Sequence, residues 1–182
     1  MKRASIEKVT VLPFYEGECT NGMDLVIIQL SERLNVSHAC LPHLKNESLL
    51  ARPHQEYFSF GWGSDPRSAE SRVFHNRNTW VYLGSEIGPC RKYMDWAPWD
   101  TLCFPAQHMV DMCSGDSGSG MMTRVNGRIT IVGVLSSGYS CDEMLKGQSA
   151  PTSSFFTDVR LYAATINREL NMTPPFPDLG AA

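Results

Sequence analysis

The sequence predicts an all-β fold, an antiparallel sheet closing on itself and followed by one C-terminal helix, and three observations carry that prediction. Short apolar or alternating runs recur between clusters of Gly, Pro, Asn and Ser, the punctuation of a sheet protein. Asn126-Gly127 lies between two such runs, and both residues tolerate the positive φ that a tight hairpin requires. Only residues 160–170 read as helical, with Pro174-Pro175 stopping any extension.

Taken in order, residues 25–30 (LVIIQL) form a β-branched apolar run, the pattern of a buried strand. From Cys40 to Pro53 the chain is polar, turn-rich and aperiodic, and reads as a connection between two units. Strand candidates follow at 56–61, 79–83, 121–125, 129–135 and 155–159. In the helix, Leu161, Ala164 and Ile166 are available for one apolar face. No internal repeat, heptad or low-complexity segment is visible.

Composition narrows the function classes. With 182 residues and 42% hydrophobic content the chain can build a core, and no stretch is long enough to span a membrane. A net charge of -3 without any Lys/Arg run argues against nucleic acid as a partner. The six cysteines (Cys19, Cys40, Cys90, Cys103, Cys113, Cys141) form no C-x-x-C pair, which favours disulfides over zinc ligation and leaves no metal or cofactor expected. Three glycosylation triplets, at Asn35, Asn46 and Asn171, agree with an oxidising compartment. The basic start is not followed by the apolar core of a signal peptide. Two readings stay open: a cytosolic protein with free thiols, or a secreted one whose precursor begins further upstream.

Chemistry concentrates at Cys113-Ser114-Gly115-Asp116-Ser117-Gly118-Ser119-Gly120. A serine hydroxyl attacks a carbonyl only when a base takes its proton and donors receive the new oxyanion. Glycine at 115 lets the backbone turn so that the amides of Gly115 and Ser117 face one small space. A solvent-exposed glycine turn is the competing reading.

Cys113-x-Gly115-Asp116-Ser117-Gly118 resembles the nucleophile signature of the trypsin-like (chymotrypsin-fold, S1) serine proteases. The resemblance extends from about Lys8 to Leu170: residues 23–30 resemble the strand carrying the triad aspartate, and Ala39-Cys40-Leu41-Pro42 the cysteine motif after it. Phe60-Gly61-Trp62-Gly63 is similar to the opening of the second barrel, residues 133–138 to the substrate-binding strand, and residues 155–159 to the family's ending. What this implies is a trypsin-like antiparallel β-barrel, a complete second barrel plus the end of the first, with a C-terminal helix. The implied organisation is a first-barrel remnant at 1–42, a connection at 43–55, the second barrel at 56–159, the helix at 160–172 and a tail at 173–182. By the same resemblance Asp24 and Ser117 are catalytic, Gly115 and Ser117 form the oxyanion hole, and Asp111, Ser136 and Gly138 bind substrate. Asp116 would receive a new N-terminal ammonium on activation, and disulfides would join Cys90 to Cys103 and Cys113 to Cys141. The implied partners are polypeptide substrates or protease inhibitors, met in the extracellular space, with Asp111 implying cleavage after Arg or Lys.

The pattern breaks at the general base. The family takes its histidine from an Ala-Ala-His-Cys motif before the aspartate, whereas His38, His43, His54, His75 and His108 all follow Asp24. Ser37-His38-Ala39-Cys40 has a superficial likeness, but the Cys-Leu-Pro after it places His38 in the connection. The activation-site Ile/Val-x-Gly-Gly segment is missing, Ser137 replaces the usual tryptophan, and Ser154 stands near a usual pocket glycine. Cys40 normally bonds upstream, and Cys19 is the one spare cysteine. The expectation is a serine endopeptidase chain without its base, inert as written; the alternative is a pseudoprotease module that binds peptides or protein partners.

Overall fold

The computed structural model describes residues 3–13, 21–42, 54–63, 78–83, 87, 90–95, 97–105, 112–138 and 153–170. Two antiparallel sheets form their framework. The smaller pairs β1 (Ile6–Val11) with β2 (Val26–Leu30). The larger contains β3 (Glu56–Gly61), β4 (Asn78–Leu83), β5 (Thr101–Pro105), β6 (Gly120–Val125), β7 (Arg128–Ser137) and β8 (Ser153–Asp158) in the order β4-β3-β6-β7-β8-β5. Every strand pairing in it is antiparallel. One short helix, α1 (Ala163–Glu169), ends the described chain.

Asn126 and Gly127 turn β6 into β7 with φ of 48° and 76°, the double left-handed turn that suits the twist of a hairpin. Alternation then sorts the side chains. Tyr57, Phe104, Met112, Met121, Val132, Leu135 and Phe156 fill the main core, where Phe104 meets Phe156 edge to face with ring centroids 5.3 Å apart. Strand β8 is buried at all six positions: β7 and β5 cover its edges, Phe156 enters the main core, and Phe155 packs with Cys90 and Cys103.

A second cluster joins the two sheets. Leu25, Val159, Tyr162 and Ile166 are buried together, with Leu12, Met23, Ile27 and Val134 packed on them. A two-stranded sheet is marginal in water alone. The β1–β2 pair is therefore held by this cluster and by Glu169, which accepts from the Lys8 ammonium and from Thr10 Oγ1 at 2.9 Å. Those two bonds hold the Glu169 carboxyl below its ordinary value.

Two strands, β1 and β5, are additional to those expected from sequence, and the helix has a different phase. Residues Val159–Tyr162 wind as 3-10 before α1 begins, with the Asp158 side chain accepting from Arg160 N at 3.0 Å. The tighter turn rotates the register, so Tyr162, Ala163 and Ile166 face inward while Leu161 and Ala164 face solvent. Cys90 and Cys103 form a disulfide, Cys40 is a free thiol, and Cys19 lies outside the described residues. Cys113 is also disulfide-bonded, while Cys141 lies outside the described residues.

Candidate functional site

The segment from Cys113 to Ser119 is two consecutive β-turns sharing one residue. Asp116 N donates to Cys113 O at 2.9 Å, and Ser119 N donates to Asp116 O at 2.9 Å. The third residue of each turn is glycine with positive φ, Gly115 at 97° and Gly118 at 85°, the conformation that type II turns demand there. This spacing explains the motif locally. Ser117 occupies the second position of the second turn and is exposed at its apex. Second- and third-position amides are not consumed by a turn, and among the described residues neither the Gly115 nor the Ser117 amide donates to another group.

Asp116 anchors the double turn from beneath. It is 1% exposed, and its carboxylate accepts from Gly63 N at 2.7 Å and Cys113 N at 2.9 Å. Burial pushes the Asp116 carboxyl above its ordinary value, and the two amide bonds only partly oppose that. The approach is so close that a Cβ on Gly61 would lie 1.8 Å from Asp116 Oδ1, and one on Gly63 2.6 Å from its Cγ. Both glycines of Gly61-Trp62-Gly63 are thus required by the packing of one side chain.

The turn is fastened to the C-terminal end of β7. Gly118 N donates to Leu135 O at 2.9 Å, and Leu135 N donates to Ser119 O at 2.8 Å. The next residue, Ser136, donates its hydroxyl to Asp24 Oδ2 at 2.7 Å, and Thr157 Oγ1 donates to the Asp24 carbonyl at 3.0 Å. Adjacent residues of one strand therefore hold the segment of Ser117 and the carboxylate of Asp24. Gly138 follows on the same strand end, where its Cβ position is 3.6 Å from the Oγ of buried Ser154. Asp111 lies outside the described residues.

His38 is at the other end of β7. Cys40 bridges Thr130 in parallel, with Cys40 N donating to Ile129 O at 2.8 Å. Thr130 and Ser136 are six residues apart, about 20 Å of strand, and the parallel sense carries His38 further away. It is exposed to solvent.

Three contributors escaped the sequence reading: Thr157, Gly63 as a donor to Asp116, and Asp100, whose carboxylate meets the residue before Asp24. Thr157 sits in a run read only for its apolar neighbours, and Asp100 belongs to no motif.

A family model described as trypsin matches residues 1–166. The chain belongs to the trypsin family. Among curated relatives it is 28% identical over 180 residues to a trypsin-like protease, try-5, of Caenorhabditis elegans, covering 93% of this chain and 54% of the relative. It is 25% identical over 173 residues to chymotrypsin-like elastase family member 1 of the dog (Canis lupus familiaris), covering 90% of this chain and 63% of that one. A shorter match, 36% over 47 residues, is to the CLIP domain-containing serine protease C9 of Anopheles gambiae, covering 26% of this chain and 13% of the relative. The chain thus spans roughly half to three-fifths of the two relatives that it matches along most of its length. Trypsin-family proteases act on polypeptides. Among the described residues of this family member, no helix is long and apolar enough to cross a membrane.

Proposed function

We propose that this chain carries the acid, nucleophile and oxyanion site of a secreted trypsin-like serine endopeptidase. Ser117 is the nucleophile, the amides of Gly115 and Ser117 receive the tetrahedral oxyanion, and Asp24 orients a histidine and stabilises its imidazolium. The observation that carries this is the Ser136–Asp24 hydrogen bond of 2.7 Å, made by the residue next to the one clamped by Gly118 and Ser119. Asp116 is the activation latch, and Asp111, with Ser136 and Gly138, selects Arg or Lys side chains. Cys113 and Cys141 form the second disulfide. Polypeptide substrates and protease inhibitors are the partners.

The base comes from outside these 182 residues. Without it the hydroxyl keeps its proton, and the isolated chain hydrolyses peptides orders of magnitude more slowly than an intact triad. A binding module is the second reading, favoured by the position of His38, exposed at the end of β7 away from Ser136 and Asp24.

Fluorophosphonate labelling tests both. The 182-residue chain is expected to stay unlabelled, and stoichiometric labelling at Ser117 would refute the argument about the base. The protein isolated from its source is expected to label at Ser117; if it does not, the endopeptidase reading falls and the binding module replaces it.

A further inference from the structure

Asp100 is buried, 2% exposed, just before β5, and it takes no part in the turn that carries Ser117. Its Oδ2 accepts from Met23 N at 2.8 Å and from the Tyr162 hydroxyl. A Cβ on Gly22 would lie 2.3 Å from its Oδ1, so the carboxylate rests directly on the backbone of residues 22 and 23. Next to it, Trp99 donates its indole N–H to Asn21 O at 3.1 Å and lies against Tyr162 with ring centroids 6.3 Å apart. Two consecutive residues thus grip three consecutive residues that end immediately before Asp24.

The gripped backbone is unusual. Gly22 and Met23 are both left-handed, with φ of 76° and 68°, and for Met23 that conformation crowds its Cβ against the backbone. Leu25 N then donates to Met23 O at 2.7 Å, closing a three-residue turn with Asp24 at its centre. A strained residue persists only where its surroundings over-determine it. Here the Asp100 carboxylate is the group that takes the Met23 amide, and the Asp100 carbonyl accepts from Asp158 N at 2.7 Å, one residue beyond the Thr157 that holds Asp24 O.

We propose that Asp100 is a positioning residue for Asp24: by holding Met23 left-handed it aims the Asp24 carboxylate at the Ser136 hydroxyl. Its part in hydrolysis rests on Asp24 being the acid of the proposed endopeptidase, whereas the coupling between Asp100 and Asp24 does not. Asparagine at 100 retains an oxygen for the Met23 amide and serves as the conservative replacement.

The test uses the full chain with 13C-labelled aspartate and follows the Asp24 carboxyl resonance. Ser136→Ala is expected to move it, Asp100→Ala to move it in the same direction, and Asp100→Asn to leave it in place. If Asp100 served packing alone, Asp100→Ala would lower the melting temperature and leave the Asp24 resonance unmoved below melting, which overturns the proposal. A second measurement needs no variant: the Met23 amide of the wild-type chain is expected to exchange at least about tenfold more slowly than an open loop amide. Exchange at the open-loop rate overturns the proposal even if Asp100→Ala does not fold. Should Ser117 of the native protein resist labelling while these signals behave as expected, the hydrolytic reading fails and the positioning role stands.

Discussion

Replacing Gly63 with alanine separates the steric demand of the Asp116 anchor from backbone strain. Gly63 is absent from the positive-φ residues, so alanine suits its backbone, but the new Cβ would lie 2.6 Å from Asp116 Cγ, 2.7 Å from Oδ1 and 2.8 Å from Asp116 N. The last contact is with backbone, which cannot swing aside. Forcing the pair apart loses a hydrogen bond to a buried charged group, about 1.5–3 kcal/mol, and adds overpacking of about 1–3 kcal/mol. The stiffer unfolded chain returns about 0.4–1 kcal/mol, leaving a net loss of about 3 kcal/mol. In a chain of this size that corresponds to roughly 6–12 °C in melting temperature, read by circular dichroism. Gly118→Ala is the control: nothing lies within 4 Å of its Cβ position, and only the strain of φ 85° remains, about 1–2 kcal/mol. If Gly63→Ala melts no lower than Gly118→Ala, the close packing of Asp116 beneath the double turn is wrong.

Since burial raises the Asp116 carboxyl, the native state binds a proton more tightly there than the unfolded chain does; the associated stability is complete below the ordinary carboxylate range and lost as pH rises through the native value. Urea titrations across that window are expected to show a negative slope of stability with pH that flattens in Asp116→Asn. Removing Cys90–Cys103 by the double substitution Cys90→Ala with Cys103→Ala, which opens a loop with sequence separation 13 and leaves the bond of Cys113 intact, is expected to cost at least about 3 kcal/mol, measured as a lower urea midpoint without reductant. Ile6, Val9, Val11, Val26 and Ile28 are each about half exposed on the small sheet, so the chain expressed alone is expected to be poorly soluble and to bind an apolar dye. A double substitution, Val9→Thr with Ile28→Thr, is expected to lower both dye binding and aggregation in light scattering.

The sequence made some elements readable because their cause is local. The Asn126-Gly127 hairpin follows from two residues that accept positive φ, and the glycines at 115 and 118 are what two type II turns need at their third positions. Strand β1 was not readable because Glu7, Lys8 and Thr10 interrupt its apolar residues; pairing with β2 and the contacts to Glu169 make it a strand. The helix phase was misread for a related reason. Periodicity offers Leu161 to the core, but the Asp158 cap starts a 3-10 turn and Asp100 draws the Tyr162 hydroxyl inward. Asp100 itself could not be found by pattern, since a lone acid in Trp99-Asp100 gains its meaning only from residues 22, 23 and 162, far from it in the chain.

The two halves of the candidate site depend on very different amounts of structure. Ser117 is carried by a double turn fastened to the middle of a six-stranded sheet, with the main core behind it. Asp24 enters from a two-stranded sheet that owes its place to a four-residue buried cluster, the Glu169 contacts and the buried Asp100 carboxylate. Hydrogen bonds are short-ranged and directional, so a shift of the small sheet by little more than an ångström breaks the Ser136–Asp24 contact while leaving the Ser117 turn intact. The placement of Asp24 relative to the Ser117 turn is therefore governed by docking of the small sheet. A partner bound over its exposed apolar face would stabilise that docking, and with it the Ser136–Asp24 contact, without touching either residue.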